Sequence, residues 1–408
     1  MLDATSTATF VLQARTLGEQ LAGLAHRYQE HAVWIGLGLD AHETWSLAPL
    51  TMHLYDGHAG LAFFFAYLEK VTGEAHYREL AEAALATTLV QADGLTHFTY
   101  IGGFSGWGGI IYTLAHLGAC WQRPDLWQKA EHFVAIAASH VAQDEQFDVI
   151  GGAAGCIGAA AALYACTKDN ATLALIDRCA AHLAAHAHAM ETGVGWVVPN
   201  MGGNPLAGFS HGASGIAWAL LQAADLCANE EYRALAQQAL DYEQSLYVPT
   251  AENWRDLRDE GGSATSDDAT KFMHAWCHGA PGIGLSRLAM LAHSDDPQLA
   301  VDLAAALRST EREGFGRGHC LCHGDLGNLD LFVSAAHKQN NQPLLQKASE
   351  LTQGILADHA ARGWLCGVPG GVETPGLMVG LAGIGYEFLR LAAPDLVPSV
   401  LLMEAPPL

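Results

Sequence analysis

Two cysteines and a histidine carry the strongest chemical signal in this chain. Cys277 stands in Trp276-Cys277-His278-Gly279 and Cys322 in Cys322-His323-Gly324. Thiolate sulfur and neutral imidazole nitrogen are donors suited to zinc. Three protein ligands, Cys277, Cys322 and His323, leave the fourth tetrahedral position open to a reactant, which marks a catalytic rather than a structural zinc. A thiol that enters such a position loses its proton, and the thiolate is the nucleophilic form. A free cysteine, with a pKa of about 8.5, is mostly thiol at neutral pH. The bland alternative is a pair of inert thiols beside glycine turns. Cys320, two residues before Cys322, is a competing ligand.

Position along the chain weighs between these readings. A Gly-x-x-Gly followed at once by an apolar, helix-compatible stretch recurs seven times, with first glycines at Gly57, Gly106, Gly152, Gly212, Gly279, Gly324 and Gly380. A near-regular period of this length marks a repeat architecture. Aligned on the first glycine, Cys277 and Cys322 hold the same position in neighbouring repeats, two residues before it. His211, His278 and His323 share the next position in three consecutive repeats, whereas Cys320 is out of register. His211, in GFSHGASG, has no cysteine before it, so it is a candidate acid–base group with an ordinary pKa of about 6.5. Asp148, four residues before Gly152, lies on the neighbouring repeat and is a candidate to orient or charge it. His278 follows a presumed ligand directly, as a second proton carrier or a group that orients the metal ligands.

The elements that must position these residues are helices of two kinds. The glycine-started stretches, such as GHAGLAFFFAYLEKV from Gly57, are apolar nearly all round and predict burial on every side. Between them lie amphipathic stretches such as YRELAEAALATTLVQA from Tyr77 and EYRALAQQALDYEQSLY from Glu231, with one more from Val11 ahead of the first glycine. The chain reads as seven outer–inner helix pairs: an all-α, seven-fold (α/α) toroid in one domain, 1–408. In a closed toroid equivalent loops meet around one mouth, which brings Cys277 and Cys322 together. An open solenoid is the alternative. It would usually show polar end repeats, and the Gly380 repeat is as apolar as the others.

Twenty basic against forty-three acidic residues give a formal charge of −23. Such a surface repels phosphate backbones and anionic lipid, which argues against nucleic-acid and membrane partners. No apolar run reaches the ~18 residues of a spanning helix, and the N-terminus lacks the basic start and apolar core of a secretory signal. The expected location is the cytoplasm. Nine cysteines, an odd number, do not suggest a disulfide framework there. Cys120, Cys156, Cys166, Cys179 and Cys227 read as small core hydrophobes, and Cys366 is undecided.

Taken together, the W-C-H-G and C-H-G motifs and the seven Gly-x-x-Gly helices resemble the lanthionine synthetase C-like family over essentially the whole chain. The segments WIGLGLDAHETWSLAPL before LYDGHAG and PGLMVGLAGIGYEFLRL near the end resemble the C-terminal cyclase half of class II (LanM-type) lanthipeptide synthetases. The large N-terminal dehydratase domain of those enzymes is not in this sequence, so an excised domain and a stand-alone relative both fit. The resemblance implies a seven-fold α/α toroid and a zinc held by Cys277, Cys322 and His323. It implies addition of a peptide cysteine to dehydroalanine or dehydrobutyrine in a dehydrated precursor, closing thioether rings. It implies His211 as acid–base catalyst and Asp148 as its partner. Some stand-alone cyclases of the family carry an arginine four residues before the first zinc cysteine, where this chain has Met273; no cationic role is assigned to Lys271. Three rivals are a prenyltransferase-like toroid, a protein adding glutathione to dehydrated residues, and a non-catalytic toroid that binds thiols or a partner. The first needs clustered cations for a diphosphate, and no basic residues group near the motifs.

Overall fold

A helix that begins at glycine lacks a side chain to cap its first N–H groups, and here the preceding loop does that work. In five of the repeats the residue after the first glycine donates to the carbonyl seven residues earlier: His58 to Thr51, Trp107 to Tyr100, Ala213 to Leu206, Asp325 to Gly318 and Leu381 to Thr374, at 2.7–3.1 Å. The second glycine admits the fold-back. A Cβ at Gly215, Gly282 or Gly327 would lie 2.0, 1.9 or 1.7 Å from the carbonyl oxygen of Phe209, Trp276 or Leu321. The motif is therefore a packing device that sets the two residues before the first glycine at a defined place on the loop.

The computed structural model describes residues 4–39, 44–95, 97–199, 201–258 and 271–408; residues 40–43 of the WIGLGLDAHETWSLAPL segment lie outside them. The glycine-started helices are α2 (His58–Thr72), α4 (Trp107–Trp121), α6 (Ala153–Thr167), α8 (Ala213–Cys227), α10 (Ala280–Met290), α12 (Asp325–Lys338) and α14 (Leu381–Ala392). They are the inner layer: every residue of α2 from His58 to Leu68 is buried, as is every residue of α12 from Asp325 to Ala336. The alternating helices are α1 (Ala4–Gly23), α3 (Ala75–Asp93), α5 (Pro124–His140), α7 (Asn170–Ala185), α9 (Glu230–Ser245), α11 (Pro297–Glu313) and α13 (Gln342–Arg362). They bury one stripe only, for example Tyr232, Ala236, Ala239, Leu240 and Glu243 on α9. Four of them open with a side-chain cap: Asp169, Asn229, Asp296 and Asn341 accept from an N–H in the first turn.

The chain forms two compact units, one of Met1–Phe98, Gly109–Ala130 and Gly316–Leu408, the other of Thr99–Gly108 and Glu131–Phe315. In each, an inner helix packs against the outer helix that follows it, as in α2 with α3, α8 with α9 and α12 with α13. This shifts the pairing frame expected from the sequence by one helix. The N-terminal α1 packs mainly on α14 rather than on α2, and so completes the last pair. Met378, in the seventh repeat, donates its N–H to the Tyr55 carbonyl of the first at 2.6 Å, and α14 packs on α2. The array has no free end at this seam, which removes the open solenoid.

Among the described residues four two-stranded hairpins punctuate the helices, a departure from the purely helical reading. The pairs are β1 (His26–Tyr28) with β2 (His31–Val33), β3 (Ile35–Leu39) with β4 (Trp45–Pro49), β5 (His188–Ala189) with β6 (Val194–Gly195), and β7 (Tyr247–Val248) with β8 (Asn253–Trp254). Strands of two to five residues leave too short a period-2 pattern to read. The last hairpin bears on the site.

Candidate functional site

Two repeats break the loop rule, and both carry residues singled out above. In the third repeat the first N–H of α6, from Ala153, goes to Asp144 Oδ2 at 2.9 Å. In the fifth the first N–H of α10, from Ala280, goes to Asn253 Oδ1 on β8 at 2.8 Å. Asn253 also donates to the Met273 carbonyl at 3.0 Å, so one buried amide ties the β7–β8 hairpin to both ends of the Met273–Gly279 loop. Gly279 takes a φ of 91°, while Gly152, Gly212 and Gly324 stay extended. That conformation is open to glycine and strained for other residues. The W-C-H-G loop is thus built differently from its counterparts.

Three of the expected site residues meet within the unit that contains this loop. Asp148 Oδ2 accepts from His211 Nδ1 at 2.6 Å, and its Oδ1 accepts the Gly151 N–H at 2.8 Å. Asp148 is 2% exposed and the His211 side chain 16%. The carboxylate is fixed from behind while the imidazole keeps an accessible edge. With Nδ1 committed to Asp148, Nε2 is the nitrogen left for proton transfer. His278 stacks on His211 with ring centroids 5.5 Å apart. Burial, then the charges of Arg258 and His211, push His278 down to about 3 against the opposing Asp256, leaving a neutral imidazole. Ser210, at the register position of Cys277, donates its hydroxyl to the Cys277 carbonyl at 2.9 Å. Cys277 is buried on this tether.

Cys322 and His323 belong to the other unit. The Cys322 N–H donates to the Met378 carbonyl at 2.8 Å, which ties its loop to the next repeat. Cys322 is 5% exposed and hydrogen-bonds the His323 imidazole, holding its pKa above the ordinary value against the effect of burial. Gly367 packs on the same loop, for a Cβ there would meet Cys320 Sγ and His323 Nε2 at 2.7 and 2.8 Å. Burial pushes Cys320 up to about 12, so it is a packed, protonated thiol. Cys366 is also buried and pushed up to about 12.

The model of the lanthionine synthetase C-like protein family matches residues 48–402. The chain belongs to the lanthionine synthetase C-like family. Among family relatives, the lacticin 481/lactococcin biosynthesis protein LcnDR2 of Lactococcus lactis subsp. lactis is 27% identical over 197 residues, which cover 45% of this chain and 20% of that protein. The match thus spans about a fifth of the relative's length. The solved structure of nisin cyclase superposes with a TM-score of 0.65 at 16% identity, covering 86% of this chain and 92% of that one. A family 76 glycoside hydrolase from a bovine Bacteroides thetaiotaomicron strain gives 0.51 at 12% identity, over 95% and 78% of the two chains. These likenesses show the fold alone, and it is the α/α toroid class that the repeat predicts. No helix among the described residues is long and apolar enough to cross a membrane.

Against this family background, sequence reasoning misses three residues. Ser210 is legible as the register mate of Cys277, but a serine is no metal ligand and so carries no signal of its own. Asn253 lies between repeats, where no register applies. Arg258 lies there too, and its Nη2 donates to Met273 Sδ at 3.0 Å. A guanidinium therefore does stand at Met273, although no basic residues group near the motifs in sequence.

Proposed function

We propose that this protein is a zinc-dependent lanthipeptide cyclase, joining peptide cysteines to dehydroalanine or dehydrobutyrine as thioether rings. The observation that carries the reading is the His211–Asp148 pair, 2.6 Å apart, with His211 at the register that His323 holds in its own repeat. Family membership and a relative named for the biosynthesis of lacticin 481 and lactococcin support a peptide substrate.

Cys277, Cys322 and His323 would hold the metal, since two thiols and an imidazole are a donor set that zinc accepts. Zinc bound there supplies a deprotonated, positioned substrate thiol. The protein's own residues do the rest. The Ser210 hydroxyl and Met378 carbonyl hold the two cysteine loops. Asp148 fixes the His211 tautomer and stabilises its protonated form. His211 Nε2 accepts the thiol proton and later returns it to the α-carbon, after sulfur has bonded to the β-carbon. The sum is addition of S–H across a carbon–carbon double bond, with no change in mass.

Mass spectrometry with a thiol-alkylating probe on a dehydrated, cysteine-containing peptide tests this. Ring closure removes the alkylatable thiol. Cys322→Ala is expected to lose zinc and activity, and His211→Asn to keep zinc and lose rate. Metal-loaded protein that leaves the thiol as reactive as no enzyme does refutes the cyclase reading; a fully active His211→Asn refutes the acid–base assignment.

A further inference from the structure

Asp148 meets His211 through a single hydrogen bond of 2.6 Å. A misplacement of about 1 Å in such a pair can cost on the order of 100-fold in rate. What places Asp148 is the turn that leads into it, and that turn is gathered on a second carboxylate, Asp144.

Asp144 is 6% exposed. Its Oδ1 accepts the Gln146 N–H at 3.0 Å and its Oδ2 the Ala153 N–H at 2.9 Å, while the Phe147 N–H lies 3.4 and 3.3 Å from the two. The Asp144 carbonyl accepts from His182 Nε2 on α7 at 2.9 Å. Phe147 takes a φ of 60°, a left-handed conformation that bulky residues seldom adopt. Its ring packs against His182 and His186, with centroids 5.6 and 5.4 Å apart. Directly after it the Asp148 N–H returns to the Gln146 carbonyl at 2.6 Å, closing a three-residue turn of the rare and strained hand. Such strain persists only where the surroundings fix it. Here one carboxylate fixes it from both sides, at Gln146 and Phe147 before Asp148 and at Ala153 after it.

Stability alone does not explain a carboxylate at this place. In five other repeats the corresponding N–H is taken by a neutral loop carbonyl. Burial pushes Asp144 up to about 6 and the charge of Asp148 adds to this, although the N–H groups of Gln146, Ala153 and Phe147 pull the other way. A carboxyl whose folded pKa lies above the unfolded value of about 3.9 lowers stability once the pH rises past both. At neutral pH the fold therefore keeps an ionised Asp144 at a cost, beside the carboxylate that serves His211.

We infer that Asp144 is a positioning residue, whose two carboxylate oxygens hold the Gln146–Asp148 turn so that Asp148 Oδ2 meets His211 Nδ1; its effect on rate rests on the cyclase reading above. Asparagine has one acceptor oxygen and an NH2 group, so it can serve Gln146 or Ala153 but not both. Asp144→Asn thus frees one end of the turn while keeping the side chain's size and relieving the buried charge.

The test compares wild type, Asp144→Asn, Asp148→Asn and the double variant as full chains on a dehydrated peptide with one cysteine, reading kcat, KM, zinc content and thermal midpoint. Proton NMR follows the downfield His211 Nδ1–H resonance, assigned by its absence from His211→Asn. Asp144→Asn is expected to lower kcat about 10- to 100-fold, with KM, zinc and midpoint little changed and the resonance lost. In the Asp148→Asn background the same substitution is expected to cost no more than about twofold, because both act through one hydrogen bond. Asp144→Asn with wild-type kcat or an unaltered resonance overturns the inference. So does a loss that persists in full in the Asp148→Asn background, or one accompanied by loss of zinc, a clearly lowered midpoint or unfolding, for the role is then structural. Wild type that consumes no thiol refutes the cyclase reading, and the resonance still decides whether Asp144 holds the pair.

Discussion

Replacing Asp148 by asparagine isolates a single charge in the candidate site. The carboxylate is 2% exposed, and its two oxygens are each committed, one to His211 Nδ1 and one to the Gly151 N–H. Asparagine keeps the shape and can keep the Gly151 bond. Its amide group then faces Nδ1, and two donors cannot pair. The imidazole is driven toward the tautomer with its proton on Nε2, and its protonated form loses a buried counter-charge. A hydrogen bond to a charged group contributes about 1.5–3 kcal/mol. At about 1.4 kcal/mol per decade this is a fall of roughly 10- to 150-fold in rate. The carboxylate is buried, so solvent screening reduces this little. The assay is the initial rate of thiol loss on a dehydrated peptide, with zinc content and melting temperature measured alongside. Asp148→Asn within about twofold of wild type, or a rate loss matched by zinc loss, would refute the reasoning.

Three further outcomes follow from the geometry. Gly327→Ala and Gly282→Ala put a Cβ 1.7 and 1.9 Å from a backbone carbonyl; each should lose roughly 1–3 kcal/mol or more and bind less zinc, and a wild-type melting curve would show the fold-back to be dispensable. Arg287→Met strands Glu243 and Asp302, which it holds at 2.7 and 2.9 Å in the core. A loss of about 3–5 kcal/mol is expected in urea unfolding, with an unchanged midpoint contradicting it. His116, buried against Tyr67 at 2.6 Å, is pushed down to about 3 by burial. A lowered histidine pKa stabilises the fold above the unfolded value of about 6.5, and that stability drains as pH falls toward 3, by up to about 1.4 kcal/mol per unit. His116→Phe should flatten the pH dependence of stability between pH 6 and 4, and an unaltered slope would exclude His116 as its source.

Much of this protein was legible from the chain alone, because its repeats are local. Whether a stretch such as His58–Leu68 is buried all round or on one stripe, as on α9, depends on residues within a few turns of one another. The register of Cys277, Cys322, His211, His278 and His323 is likewise a matter of counting from the nearest glycine. The family signature followed from the same motifs. Tertiary structure decided what depends on contacts between distant segments. The pairing frame needed the seam, where α1 meets α14 and Met378 meets Tyr55. Two aspartates precede α6 in its loop, and only the folded chain shows that Asp144 caps that helix while Asp148 reaches His211. Arg258 lies on the chain between repeats, without register or periodicity, and its place at Met273 comes from a hairpin of two-residue strands. Helices are built from neighbours and can be read from them; the charge around a site is gathered from segments that only the fold makes adjacent.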